Sequence, residues 1–116
     1  MKIENNTIVF KSTPVNFRKE KTGIKCNTVR KIQKYKGPFS DIYSKEFLDF
    51  DYDKENIAMI RIVNTESGES FLRRLSDMTR AFFFEENNIV YETWVFSWIR
   101  ERRLDEFRCK RMEAIQ

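Results

Sequence analysis

The chain has 116 residues, 41% of them hydrophobic, with eleven Phe, four Tyr and two Trp, enough to fill one core and form one domain over residues 1–116. It contains no histidine, which excludes Ser-His-Asp and Cys-His nucleophile arrangements, histidine general bases and His-ligated metals. Ten Lys/Arg against two Asp/Glu over residues 1–36 (+8) are followed by two against six over residues 37–56 (−4), a steeper asymmetry than the overall +4.

Cys26 and Cys109 are too few for a disulfide framework and lack a zinc spacing, so both are expected to be reduced thiols and no metal or cofactor is expected. No stretch approaches the roughly 18 apolar residues of a membrane span. The N-terminus MKIENNTIVF also lacks a signal-peptide pattern. The expected location is the cytoplasm, with no membrane partner. The basic segment suits a polyanion as well as it suits a merely solvated face.

Thr7–Phe10 is a short β-prone run, and Ser12-Thr13-Pro14 opens a brief helix from about Pro14 to Lys21 that Gly23 stops. Residues 27–32 alternate, with Val29 and Asn27 on one side and Thr28, Arg30 and Ile32 on the other. From Lys36 to Asn56 the chain reads as a long polar loop with a helical turn. Its alternating Asp49, Asp51, Asp53 and Glu55 lack the glycine and later glutamate of a calcium loop, so a solvated acidic loop is expected.

Residues 57–63 and 70–75 read as a hairpin around Thr65-Glu66-Ser67-Gly68, and Ser76 to Arg80 as a tight turn or a single helical turn. Ala81 to Phe84 and then Ile89 to Trp98 follow as strands, with Asn87-Asn88 as the turn between them. In the last strand Val90, Glu92, Trp94, Phe96 and Trp98 share one face and Ile89, Tyr91, Thr93, Val95 and Ser97 the other, so it belongs in the middle of a sheet. The C-terminal segment 99–116 is expected to be helical, with Leu104, Phe107 and Met112 forming an apolar stripe over 99–112.

The most informative segment is Gly23-Ile24-Lys25-Cys26-Asn27-Thr28-Val29-Arg30. A glycine turn followed by two cations and two hydrogen-bonding side chains, Asn27 and Thr28, suits a phosphate or a base edge. The plainer reading is that Arg30 pairs across the sheet and Lys25 is solvated. The segment resembles the G-x-K-x-x-x-x-R signature of the ASCH family, small β-barrels related to the RNA-binding PUA fold, in which a short helix precedes the glycine.

It is closest to the bacterial acetylcytidine amidohydrolases, where the segment reads G-x-K-T-x-T-x-R and Lys25, Thr28 and Arg30 fall on the matching positions. That resemblance implies an α+β fold built on a small mixed β-barrel or strongly curved sheet with flanking helices. It also implies binding of RNA, single-stranded DNA or a modified nucleotide by Lys25, Asn27, Thr28 and Arg30. Nucleoside amide hydrolysis by Lys25 and Thr28 is its enzymatic extreme. The family's glutamate has no assignable counterpart here, and Thr28 replaces the usual acidic residue of the signature.

The run N-T-V-R, then S-D-M-T-R, then F-S-W is also similar to small uncharacterised bacteriophage and prophage proteins. This implies an alternative, an accessory protein that binds and inhibits a host protein without catalysis. The Phe82-Phe83-Phe84 triplet cannot point wholly inward from a strand, so at least one ring is expected on the surface as a partner patch.

Overall fold

The computed structural model describes residues 1–99; the expected helix beyond Ile99 lies outside the described residues. The chain runs as strands β1 (Lys2–Glu4) and β2 (Thr7–Ser12), helix α1 (Pro14–Lys21), strand β3 (Asn27–Gln33) and helix α2 (Lys45–Asp53). Strands β4 (Met59–Asn64), β5 (Ser70–Glu86) and β6 (Ile89–Trp98) follow. No helix among the described residues is long and apolar enough to cross a membrane.

All six strands form one mixed sheet of order β1-β2-β4-β5-β6-β3, in which β2 and β4 are parallel and the other neighbours antiparallel. The parallel pair arises because α1, β3 and α2 lie between β2 and β4 in the chain, giving the crossover that parallel strands require. The sheet is strongly curved, since Phe10 of β2 and Phe96 of β6 meet with ring centroids 4.9 Å apart. It is not closed into a barrel: no backbone ladder joins β1 or β2 to β3.

The concave side carries the core. Ile8 and Phe10, Ile32, Ile60 and Ile62, Phe71, and Trp94, Phe96 and Trp98 are buried there under Phe17 of α1 and Phe50 of α2. The alternation in β6 places Trp94, Phe96 and Trp98 inward, and the flanking β5 and β3 make it an interior strand.

Two local expectations are corrected and one strand is added. Ser76–Arg80 is neither a turn nor a helical turn but part of the continuous strand β5, where irregularities at Leu75/Asp77 and Arg80/Phe82 each insert one extra residue, Ser76 and Ala81. Such bulges break the two-residue period without ending the strand, which is why the sequence pattern reads as a turn. Residues 45–53 form a nine-residue helix, capped by the Ser44 hydroxyl accepting from the Phe47 N–H, instead of a polar loop with one turn. Strand β1 goes unread in the sequence because three mostly exposed residues carry no burial pattern; Asn5 at φ 56° turns it into β2.

Candidate functional site

Gly23 adopts φ 81°, the left-handed conformation that closes a helix, and the Lys25 N–H returns to the Lys19 carbonyl at 3.0 Å. The chain then enters β3, whose alternation turns Thr28, Arg30 and Ile32 toward the concave side and Asn27, Val29 and Lys31 toward the convex one. Of the four residues singled out in the sequence, Thr28 and Arg30 therefore come together, while Asn27 is exposed on the opposite face. Lys25 precedes the strand, half-buried, and forms no side-chain hydrogen bond or ion pair among the described residues.

All three nitrogens of the Arg30 guanidinium donate. Its Nε donates to Thr28 Oγ1 at 2.9 Å, Nη1 to the Lys11 carbonyl at 2.7 Å and Nη2 to Ser12 Oγ at 2.7 Å, and it lies over the Phe10 ring. Burial pulls its pKa below the ordinary arginine value, and the nearby Glu20 carboxylate acts in the opposite direction. Glu20 is itself buried, and its oxygens have no hydrogen-bond partner among the described residues. Thr28 is likewise buried. Arg30, braced by Thr28, ties β3 to β2 through Lys11 and Ser12.

An open cleft of about 490 Å³ lies farther along the concave side, between α2 and the β5–β6 ladder. Ser44 positions one wall: its hydroxyl donates to the Gln33 carbonyl and its N–H to the Lys34 carbonyl, docking the start of α2 on the end of β3. That placement stacks Tyr43 on Tyr35 and brings Phe47 against Tyr43, with centroids 5.7 and 4.9 Å apart.

At the floor lies Glu92, 3% exposed. Its Oε2 accepts from Trp94 Nε1 at 3.1 Å, while Oε1 faces Lys34 Nζ at 3.9 Å and Arg80 Nη1 at 3.6 Å. Both distances exceed a hydrogen bond, so Oε1 keeps acceptor capacity toward the cleft. Lys54, paired with Asp51 at 2.9 Å and 5.7 Å from the Trp94 ring centroid, completes the rim.

The cleft thus combines three cations with two carboxylates, aromatic walls and a buried acceptor. Cations at a rim suit phosphates, rings suit base faces, and a fixed carboxylate suits exocyclic amino groups. Sequence reasoning passed over Lys34, Arg80 and Glu92 as site residues. Glu92 carries a readable signal, a lone charge on the apolar face Val90, Trp94, Phe96 and Trp98, whereas Lys34 and Arg80 become cleft residues only through the curvature of the sheet.

Compared with known proteins, the chain matches no family model, no curated protein and no solved structure.

Proposed function

We propose that the chain binds single-stranded nucleic acid, or its nucleotides, in the cleft between α2 and the β5–β6 ladder. The observation that carries this reading is the Glu92 carboxylate, held at the cleft floor by Trp94 and flanked by Lys34 and Arg80. Burying a carboxylate among rings is costly unless its acceptors are used, and a base amino group would use Oε1. Lys34, Lys54 and Arg80 would receive phosphates, with Tyr43 and Phe47 offering ring surface.

An ASCH/PUA-like fold, with its sheet left open, is part of the same proposal. Support comes from the short helix directly before Gly23, the mixed sheet curled until Arg30 reaches β2, and Thr28 beside Arg30 on the concave side. The test is fluorescence anisotropy with short labelled RNA and DNA strands over a salt series. Three phosphate contacts predict a log–log slope of about −2. Lys34→Ala and Arg80→Ala should each weaken binding about tenfold, as loss of a charge-assisted contact does. Absence of binding at low salt defeats the proposal.

A second reading, an accessory protein that binds a host protein without catalysis, rests on Phe39 and Tyr52, both strongly exposed in the acidic segment 37–56. It predicts no oligonucleotide binding, and loss of host-protein capture on Phe39→Ala with Tyr52→Ala.

A further inference from the structure

Strand β5 has two different neighbours along its length. On one edge β4 covers it only up to Arg74, whereas on the other β6 follows it to Glu86. From Ser76 to Glu86 the outer edge therefore has no strand beside it among the described residues. That stretch is exposed almost throughout and carries Phe82 at 57% and Phe83 at 47% exposure. An apolar edge with free backbone donors and acceptors is a template for another strand.

We propose that a second copy of this chain occupies the edge, with the two β5 strands antiparallel about a two-fold axis at Phe83 so that one sheet continues across the dimer. The charge pattern selects both the occupant and the register. A two-fold axis normal to a continuous sheet keeps each face on its own side, so opposed residues must share a face and the axis must pass through a residue.

With the axis at Phe83, Phe83 meets its own copy, and Phe82 meets the second copy's Phe84. The extra residue Ala81 then lets Arg80 oppose the second copy's Glu85. Arg80 pairs with Trp94 and Glu85 with Val90 in the β6 ladder, so both point to the concave face and their charges are complementary. Shifting the axis to Phe84 would set Glu85 against Phe83 and Glu86 against Phe82. Shifting it to Phe82, with Ala81 again the extra residue, would set Phe83 against Arg80 and Phe84 against Thr79. Only the Phe83 axis matches rings with rings and cation with carboxylate. The pairing would also place two copies of the Glu92 cleft on one face.

Sedimentation equilibrium of the full chain over a concentration series tests this. The expected result is a monomer–dimer equilibrium whose dissociation constant rises at least about tenfold, near 1.4 kcal/mol, in Phe83→Lys. Circular dichroism should show that variant folded, because Phe83 is half exposed. Glu85→Arg should weaken the dimer, and adding Arg80→Glu to it should restore association. Phe83→Cys should form a disulfide-linked dimer under mild oxidation that the unaltered chain does not, because opposed antiparallel residues sit about 4.5–5.5 Å apart, within disulfide range. A monomer at every concentration overturns the proposal, as does a dimer indifferent to Phe83→Lys. Failure of the charge swap, or of the cross-link in Phe83→Cys, overturns the register.

Discussion

The Arg30 guanidinium donates to Ser12 Oγ at 2.7 Å, so β3 at one end of the sheet is joined to β2 near the other end by a side chain instead of a backbone ladder. The nearby buried Glu20 carboxylate favours the charged form of that guanidinium, against the effect of burial. Arg30→Met should cost about 1.5–3 kcal/mol, because it removes the charge-assisted hydrogen bonds to Thr28, Lys11 and Ser12. Arg30→Lys should recover only part of this, since an ammonium lacks the fork that reaches Thr28, Lys11 and Ser12 together. Urea denaturation midpoints check both; a midpoint unchanged in Arg30→Met would show that the seam contributes nothing.

Thr28 accepts from Arg30 Nε at 2.9 Å and is buried, which assigns its hydroxyl to the seam. Thr28→Val keeps the shape but deletes that acceptor, and should destabilise by about 1–1.5 kcal/mol. Oligonucleotide affinity measured on the folded variant should stay at the unaltered value.

Much of this architecture is legible in the sequence, because local rules and burial agree there. Pro14 and Gly23 bracket α1, Asn87-Asn88 marks the β5–β6 turn, and the two-residue period of Ile89–Trp98 fixes which side faces the core. What is not legible depends on tertiary context. The bulges at Ser76 and Ala81 disguise one 17-residue strand as a strand and a turn. The exposed side of α2 masks its single fully buried anchor, Phe50. Curvature decides that Arg30 of the expected site closes a seam, while Lys34, from outside that segment, reaches a cleft. Phe82 and Phe83 are exposed, as a run of three Phe in one strand requires.

Trp98 lies in the core against Phe71, with centroids 6.2 Å apart, and Trp94 packs edge-on against Phe50 at 4.9 Å. Trp98→Ala should cost about 3–5 kcal/mol by removing a large buried ring. A thermal melt should find the variant largely unfolded near the temperature at which the unaltered protein is still native. Phe50→Ala should behave similarly, since α2 would lose its hold on the sheet.

Glu92→Gln keeps the size of the side chain while removing the charge beside Lys34 and Arg80. It also replaces one acceptor oxygen with an amide donor. Discrimination among the four homopolymeric strands should narrow by about 1–3 kcal/mol, the scale of one base-edge contact, with the salt slope retained because the phosphate cations remain. A competition series at fixed ionic strength measures this. Selectivity equal to that of the unaltered chain would place the base edge elsewhere.

The most direct test of the cleft is the emission of Trp94 in a Trp98→Phe background, which leaves one described tryptophan, in the wall of the site and bonded through Nε1 to Glu92. Titration with a short single strand at low salt should change that emission in step with anisotropy of the labelled strand. Added salt should reverse both signals together. Binding seen by anisotropy with Trp94 emission unmoved, or no binding at all, would contradict the account.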